Sequence, residues 1–565
     1  MRHFSKFFVR RKKYTALEPD EIFIDSQNLP SYDTAHFEGR IERALPTSVY
    51  RAFMMVGGIV LAILIGQTLY LSVWNGDFYA SWSKDNRLDQ DAVVAERGLI
   101  TDRNGVPLAQ NTTNRATSDA PVLRTYSLGE AAAHVVGYVS YPKRDSSGNW
   151  FQDEIIGLSG TEALYNDVLR GENGLQIQET DARGTVVSGS VVRVPHAGRD
   201  VVLSLDADLQ AAVYRYLKER VDASYIGGAA ALMDVHTGEL VALASYPSYD
   251  PEILSTGTPK EAVAAYMSDS RSPFLDRGVT GLYTPGSIVK PFLALAALSE
   301  GIVTAQKTFV STGRLVLPNP YNPDAPSVFK DWRAHGAVDM RRAIAVSSDV
   351  YFYIIGGGYE SQRGLGITAI DRYAALFGFG TKTGFPLEEE PLGTVPTPEW
   401  KAETFNEPVW RVGDTYNTAI GQYGWQVTLL QSVRAVAALA NGGMLVTPTI
   451  LKDESGTKVD LKLDPAELLV IQEGMRQTVT LGTAQSLILP GVTVAAKTGT
   501  AETGVRKEFT NSLVIGYFPY ENPKYAFAVI LERTPAGTVV GAPAVMRNIL
   551  EWITLYRSEM ASPTS

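Results

Sequence analysis

The strongest constraint on how this chain folds is an uncharged stretch near its N-terminus, from Ala52 to Gly76. Its central part, from Phe53 to Ile65, is almost wholly apolar. At a rise of about 1.5 Å per residue, about twenty such residues span the hydrocarbon core of a bilayer, which is roughly 30 Å thick. A cleaved signal peptide and a buried helix are the alternatives. The length and the lack of a clear small-x-small cleavage site favour an uncleaved anchor, which we predict over residues 51–74.

Basic residues precede this stretch, at Arg10-Arg11-Lys12-Lys13, Arg40, Arg43 and Arg51. Because positive charge is retained on the cytoplasmic side of a membrane, we expect residues 1–50 to form a cytoplasmic tail. Everything after the anchor is then exported. The sequence predicts a single-pass protein of the cytoplasmic membrane whose main part lies outside the cell membrane.

Composition excludes several classes of function. At 565 residues the chain is too long for a single core. Its formal net charge of −10 argues against nucleic acid as a partner, since that role needs a basic surface. There is no cysteine, and the six histidines are scattered without metal-ligand spacing. We therefore expect no cofactor and no metal.

A serine and a lysine three positions apart, Ser287 and Lys290, stand where a Pro-Gly breaker meets an apolar run. The run predicts a buried helix that begins at Ser287, where unpaired N–H groups favour an oxyanion. Residues three apart share a helix face, so Lys290 can act as base for the serine hydroxyl. The same spacing at Ser81 and Lys84 has no such setting, and we interpret it as ordinary surface sequence.

Two further motifs follow in the chain. Ser347-Ser348-Asp349 can be a simple helix N-cap, or it can supply a second hydroxyl, Ser347, that relays a proton. Lys497-Thr498-Gly499-Thr500 follows a segment that alternates like a strand, and a strand with a glycine lets a peptide pair alongside it. A second Lys-Thr-Gly at 382–384 follows a turn-like segment instead, and we interpret it as loop.

In this order the three motifs resemble the penicillin-recognising serine enzymes, and the match is close to the class B penicillin-binding proteins of the cell-elongation branch. The resemblance covers residues 87–532. Other segments that carry it are Arg97-Gly98, Asp102-Arg103-Asn104-Gly105, 133–138, 157–162, 234–239, 247–251, 329–332, 413–417 and 420–422.

The resemblance implies an α+β fold, with a transpeptidase domain at 201–560 on a β-rich pedestal at 75–200. The pattern itself agrees, because strand-like segments at 201–205, 229–234, 240–244, 513–518 and 526–531 enclose helical ones. That arrangement suggests one antiparallel sheet covered by helices. Residues 106–136 stand where relatives insert a sizeable head subdomain, so we expect a reduced head.

The resemblance also implies the chemistry of a peptidoglycan D,D-transpeptidase that β-lactams inhibit. Ser287 would attack the carbonyl between the two terminal D-alanines of a stem peptide, with Lys290 as base. Ser347 would pass a proton to the departing D-alanine. Lys497, Thr498, Gly499 and Thr500 would bind the donor peptide, and N–H groups of Ser287 and Thr500 would hold the oxyanion.

Asp349 is the exception within this set. Many relatives have asparagine there, and a carboxylate beside Lys290 favours the charged lysine, which opposes its role as base. The elongation branch often has aspartate at this place. Either Asp349 is itself protonated, or its charge is directed elsewhere.

Partners follow from the same resemblance. Since no glycosyltransferase domain is visible, a RodA-type polytopic glycosyltransferase is expected to contact the transmembrane helix and the pedestal. Some relatives hold zinc with a cysteine between the first two motifs. This chain has Ser348 at the comparable place, so we predict no zinc.

Three other functions use parts of the same pattern. A membrane-bound β-lactam sensor needs an additional signalling segment, of which the tail shows no sign. A β-lactamase hydrolyses instead of transferring, but such enzymes are usually shorter, soluble and without a pedestal. A non-catalytic scaffold that activates a glycosyltransferase would not need all three motifs complete.

Overall fold

The computed structural model describes residues 46–562, except for 86–87, 114–121, 147–149, 181–185, 320–321, 323 and 505. Contacts divide the chain into two units, one ending at Leu88 and the other beginning at Asp89. Most of the expected cytoplasmic tail, residues 1–45, lies outside the described residues.

The first unit contains the apolar helix that the sequence predicts. Pro46 precedes helix α1 (Thr47–Leu69), which continues as a π-helical turn over Tyr70–Trp74 and is followed by α2 (Gly76–Asp85). No residue of α1 is buried against protein. Among the described residues, Thr47–Trp74 is the one helix long and apolar enough to cross a membrane. It begins at Thr47, slightly before the expected start.

The remaining elements alternate between strands and helices. The helices are α3 (Ala133–Val136), α4 (Gly160–Leu164), α5 (Asn166–Leu169), α6 (Ala207–Ser224), α7 (Pro251–Thr256), α8 (Lys260–Ser268), α9 (Lys290–Ser299), α10 (Met340–Val346), α11 (Asp349–Gly357), α12 (Ile367–Leu376), α13 (Pro398–Phe405), α14 (Val412–Ala419), α15 (Leu429–Ala440), α16 (Pro465–Thr480), α17 (Ala542–Tyr556) and α18 (Ser558–Ala561). The strands are β1 (Leu88–Val93), β2 (Ile100–Thr101), β3 (Pro107–Thr113), β4 (Val122–Tyr126), β5 (Val139–Ser140), β6 (Lys143–Arg144), β7 (Trp150–Gln152), β8 (Ile156–Gly157), β9 (Gly174–Thr180), β10 (Val186–Arg193), β11 (Val201–Val202), β12 (Gly227–Asp234), β13 (Leu240–Tyr246), β14 (Phe309–Ser311), β15 (Arg314–Leu317), β16 (Ser327–Lys330), β17 (Gly336–Val338), β18 (Met444–Val446), β19 (Lys458–Asp460), β20 (Ala495–Thr503), β21 (Phe509–Phe518) and β22 (Tyr525–Pro535).

A five-stranded sheet organises the C-terminal part of the second unit, in the order β13-β12-β22-β21-β20. All of its pairings are antiparallel. Successive residues point to opposite faces, so Ala229 and Ala231 join one apolar core while Ala230 and Leu232 join the other. Helices α6 and α17 cover one face, and α9, α15 and α16 cover the other. The predicted antiparallel sheet covered by helices is confirmed.

The strand predicted over residues 201–205 is wrong in extent and in partner. Only Val201 and Val202 form a ladder, and they pair in parallel with β2 in a second sheet of order β11-β2-β3-β4. An apolar alternation identifies a strand but does not identify its neighbour. Here Val201 and Val202 join the four-stranded sheet and not the five-stranded one.

A buried ion cluster holds the pedestal region together. Glu162 accepts hydrogen bonds from Nε of Arg97 at 2.6 Å and from Nε of Arg124 at 2.7 Å, and all three side chains are fully buried. The Arg97 guanidinium also donates to the carbonyl oxygens of Ile155 and Glu162. Because these residues come from distant parts of the region, one carboxylate fixes their relative positions.

Helices α9 and α15 lie in the interior of the region that contains the five-stranded sheet. Every residue of α15 is buried, and α9 is buried from Lys290 to Leu298. Residue Thr428 caps α15 through a capping box with Gln431. Lys290, at the start of α9, is therefore surrounded by protein.

We predict that Glu162→Ala strongly destabilises the protein, because it leaves two buried guanidinium groups without a counter-charge. Breaking a buried pair typically costs about 3–5 kcal/mol, which corresponds to a fall in melting temperature of about 5–10 °C. Thermal unfolding of the detergent-solubilised full chain measures this.

Glu154→Ala is the matched control for this prediction. Its carboxylate pairs with Arg170 at 3.2 Å, where both side chains are about two-fifths exposed (43% and 39%). Exposed pairs contribute about 0–1 kcal/mol. Equal melting temperatures for the two variants would show that the buried cluster does not stabilise the fold.

Candidate active site

Ser287 lies in a short 3-10 turn, Gly286–Val289, that leads directly into α9, so the α-helix begins at Lys290 and not at Ser287 as predicted. Its side chain is half-buried. The turn packs tightly against β20, since a Cβ atom on Gly286 would lie 2.7 Å from the Thr500 carbonyl oxygen. A Cβ on Gly499 would lie 2.7 Å from the Pro285 carbonyl oxygen. The two glycines bring the first and third motifs into direct contact.

Lys290 is fully buried and points towards the second motif. Its Nζ donates to Asp349 Oδ1 at 2.6 Å, to the Ser347 carbonyl oxygen at 2.9 Å and to Ser347 Oγ at 3.2 Å. Within the described part of the chain, no hydrogen bond joins Lys290 Nζ to Ser287 Oγ. The Asp349 side chain keeps 18% of its surface exposed. Solvent in the cleft, the space between Ser287, Ser347 and β20, therefore also screens its charge.

Ser347 connects the two lysines. It ends α10 in the left-handed region, with φ 57° and ψ 41°, and Ser348 then caps α11. That conformation costs a residue other than glycine of order 1–3 kcal/mol. It places Ser347 Oγ 2.9 Å from Lys497 Nζ and 3.2 Å from Lys290 Nζ. Both lysines donate to this oxygen, so its own proton is available to a third group.

Lys497 reaches the same point from β20. The side chain is fully buried, and its Nζ donates to Ser347 Oγ and, at 2.8 Å, to the Thr498 carbonyl oxygen. Burial, followed by the positive charge of Lys290, holds the pKa of Lys497 well below its usual value. The second and third motifs thus meet through one hydroxyl.

The remaining predicted residues of the third motif lie along the same strand. Thr498 is half-buried, Gly499 is buried and Thr500 is exposed. β20 is an edge strand, paired on one side with β21 alone. An extended peptide can therefore lie along its free edge, beside Ser287. All eight predicted site residues belong to one contiguous region.

A buried polar cluster lies behind the second motif. Asp331 Oδ2 accepts hydrogen bonds from Ser311 Oγ at 3.0 Å, Ser348 Oγ at 2.9 Å and Val350 N at 3.1 Å. His335 Nε2 lies 3.3 Å from the other oxygen, at an angle that does not make a hydrogen bond. The cluster connects β14 to the first turn of α11, next to Ser347 and Asp349.

The resemblance implies a zinc site in some relatives at the place of Ser348, and the donors of this cluster do not fit that ion. Zinc takes thiolates, imidazoles and carboxylates, usually four ligands in structural sites. Here there are one carboxylate, one imidazole and two hydroxyls, and the carboxylate is already engaged by neutral donors. Across the described residues, no group of three or more histidine, cysteine, aspartate or glutamate side chains is arranged to hold a metal.

One contact at the site was not predicted. Thr483 Oγ1 lies 2.6 Å from Thr498 Oγ1, although Thr483 belongs to the turn after α16. In the sequence, residues 481–484 look like an ordinary helix end. Gly482 was the one feature that could have pointed to a close backbone contact there. The hydrogen bond from the Ser311 hydroxyl to Asp331 was not predicted either.

The second Lys-Thr-Gly segment lies elsewhere and is built differently. Lys382 is exposed and pairs with Glu389 at 3.0 Å. The Thr383 and Gly384 N–H groups donate to Glu390 Oε2, in a loop without helix or strand. It is a carboxylate-stabilised turn.

Comparison with known sequences agrees with this geometry. The model of the penicillin binding protein transpeptidase domain matches residues 228–551, and that of the penicillin-binding protein dimerisation domain matches residues 116–203. The peptidoglycan D,D-transpeptidase MrdA of Escherichia coli strain K12 is 30% identical, over 90% of this chain and 94% of its own.

Solved structures give the same result. Pseudomonas aeruginosa PBP2 in complex with WCK 5153 has a TM-score of 0.67 and 31% identity, covering 84% of this chain and 99% of that one. A chain from a structure described as showing structural coordination of polymerization and crosslinking by a peptidoglycan synthase complex has a TM-score of 0.68 and 27% identity, covering 89% and 98%. The chain therefore belongs to the penicillin-binding protein transpeptidases, in the PBP2 (MrdA) branch.

Proposed function

We propose that this protein is a membrane-anchored peptidoglycan D,D-transpeptidase that cross-links stem peptides through an acyl-enzyme on Ser287 during cell-wall elongation. The observation that supports this most directly is the meeting of Lys290 and Lys497 on the Ser347 hydroxyl, beside the turn that carries Ser287. The relatives named D,D-transpeptidases MrdA support the reaction type.

In the first step Ser287 Oγ attacks the carbonyl carbon between the terminal D-alanines, and its proton passes to Lys290. Lys290 must be neutral at that moment, and in the resting site it donates to Asp349 and Ser347 instead. Catalytic hydrogen bonds are often long without substrate and tighten when it binds. N–H groups of Ser287 and Thr500 would hold the oxyanion; removing one such donor typically costs about 10²–10³ in rate.

Collapse of the tetrahedral intermediate breaks the C–N bond, and the departing D-alanine amine needs a proton. The Ser347 hydroxyl is suited to deliver it, because its oxygen accepts from both lysines and its proton is free to point into the cleft. The proton that Lys290 took from Ser287 then replaces it. An amine of a neighbouring stem peptide then attacks the ester carbonyl carbon and forms the cross-linking amide. The ester C–O bond breaks, and the proton lost by the amine passes through Lys290 to Ser287 Oγ.

Recognition of the donor peptide depends on its terminal carboxylate. Lys497, Thr498 and Thr500 lie along one edge strand and supply a cation and two hydroxyls. In its protonated form Lys497 would bind an anion together with the two hydroxyls, and a bound carboxylate would in turn favour that protonated form. A β-lactam carboxylate would use the same groups.

The membrane helix and its expected partners complete the proposal. The positive-inside rule places the N-terminus in the cytoplasm and the catalytic domain outside the membrane. The protein would act with a RodA-type glycosyltransferase that polymerises the glycan strand. A related chain solved within a peptidoglycan synthase complex supports an assembly of this kind.

The proposal predicts that penicillin forms a stable adduct with the protein, visible as a mass increase, and that Ser287→Ala abolishes it. Ser81→Ala, the serine of the second Ser-x-x-Lys, is the matched control and should acylate normally. If no adduct forms but penicillin is consumed, the protein is a β-lactamase. No adduct and no consumption by the wild-type protein would favour a non-catalytic scaffold.

Replacing Asp349 by asparagine should leave acylation by penicillin within about tenfold of the wild-type rate, a change of about 1.4 kcal/mol. The amide oxygen can still accept from Lys290, while the charge that favours protonated Lys290 is removed. Asp349→Ala, which removes the acceptor as well, should be slower. The measurement is the acylation rate constant of each variant. A loss of more than about tenfold in Asp349→Asn would mean that the negative charge itself is required.

Lys497→Met should abolish acylation while raising the melting temperature. The buried ammonium is costly, and apolar replacements of buried charges often stabilise by about 1–4 kcal/mol. With the folded pKa of Lys497 below 10.5, the unfolded chain binds the extra proton between the two values. Wild-type stability therefore rises with pH across that window, and the advantage of the variant is largest below the folded pKa.

Thermal unfolding of both proteins between pH 7 and pH 10 measures this difference. Lys382→Met, in the exposed Lys-Thr-Gly turn, should change neither stability nor acylation. A Lys497→Met protein that is less stable at every pH would show that the Lys497 hydrogen bonds outweigh its burial.

A further inference from the structure

The turn that follows α16 lies between two sides of the cleft. Thr483 N donates to the carbonyl oxygen of Ala345 at 3.2 Å, two residues before Ser347. A Cβ on Gly482 would lie 2.0 Å from the same oxygen, so the backbone approach is possible only for glycine. The Thr483 side chain then extends towards β20, from the opposite direction to Ser347.

On the β20 side this turn meets Thr498. The two threonine hydroxyls are 2.6 Å apart, and either can donate to the other. Each hydroxyl carries one proton and two acceptor positions. If Thr498 donates to Thr483, it presents only lone pairs to the cleft, which would repel an anion. If Thr483 donates, the Thr498 proton is free for the cleft.

We propose that Thr483 is a positioning residue that makes the site selective for ligands with a carboxylate. It donates to Thr498 and so directs the Thr498 proton towards the carboxylate of the bound ligand. A hydroxyl that accepts one hydrogen bond is also polarised into a stronger donor, so the chain of two hydroxyls binds an anion better than one. The inference rests on the proposed role of Thr498 in binding the donor peptide.

Two further observations fit this role. The hydrogen bond from Thr483 N and the close approach of Gly482 fix the turn to the end of α10, so the Thr483 hydroxyl is held in place. Thr483 is also half-buried, and burial strengthens a hydrogen bond by limiting competition from water. A neutral ester carbonyl accepts a weaker hydrogen bond than a carboxylate does, so it gains less from the orientation of the Thr498 proton.

The test compares Thr483→Val, which keeps the shape and removes the hydroxyl, with Thr483→Ser, which restores the hydroxyl. The probes are benzylpenicillin and benzylpenicillin methyl ester, which differ in the carboxylate charge. Second-order acylation rate constants are followed by intact mass. Thr480→Val is the control, because the Thr480 hydroxyl bonds within its own helix to the Arg476 carbonyl oxygen.

Thr483→Val should slow acylation by benzylpenicillin about fivefold to tenfold, the usual worth of one hydrogen bond, and should leave the methyl ester within about twofold. Thr483→Ser should restore the benzylpenicillin rate. Equal losses with both probes would reduce Thr483 to a structural role, and no loss with either would remove it from recognition; each result overturns the inference. Wild-type protein that neither probe acylates would instead overturn the proposed function, and the inference with it.

Discussion

Two lysines buried around a single serine hydroxyl are the arrangement on which the catalytic region depends. Lys290 and Lys497 both donate to Ser347 Oγ, and one partly exposed carboxylate, Asp349, balances them. Like charges in a poorly polarisable interior repel strongly, so this contact opposes folding. The contact persists because both side chains are fully buried and make hydrogen bonds there. An anion bound beside the two lysines would reduce that repulsion.

The architecture supplies that restraint from three directions. Lys290 begins a helix that is buried along its length, and Lys497 lies within a strand paired over nine residues with β21. Ser347 is held in a left-handed conformation by the helices on both sides of it. Behind it, the Asp331 carboxylate connects the first turn of α11 to β14. This hydrogen-bonded carboxylate thus fixes the position of Ser348, beside Ser347 and Asp349.

Sequence reasoning recovered the parts that local chemistry determines. The breaker before Ser287 indicated a helix and the alternation around Lys497 indicated a strand, and both elements are present, although the α-helix begins at Lys290. It failed where the outcome depends on which distant segments meet. The strand predicted at 201–205 is shorter than expected and pairs with β2, outside the five-stranded sheet. An alternating pattern does not indicate which strand lies next to it. The hydrogen bond between Lys290 and Asp349 was foreseen as a conflict, but its geometry depends on how α9 and α11 pack. Thr483 could not be found at all, since only the packing of α16 brings it to Thr498.

The close approach of Gly286 and Gly499 has a consequence for how such an enzyme can evolve. A Cβ atom at either position would collide with backbone atoms across the cleft, and backbone cannot rotate aside as a side chain can. A substitution at either glycine would have to move one of these two backbone segments, and with it the distance between Ser287 and β20. We therefore expect that tolerated changes in ligand preference arise in side chains that enter from the rim, while the short path between Ser287 and β20 stays fixed.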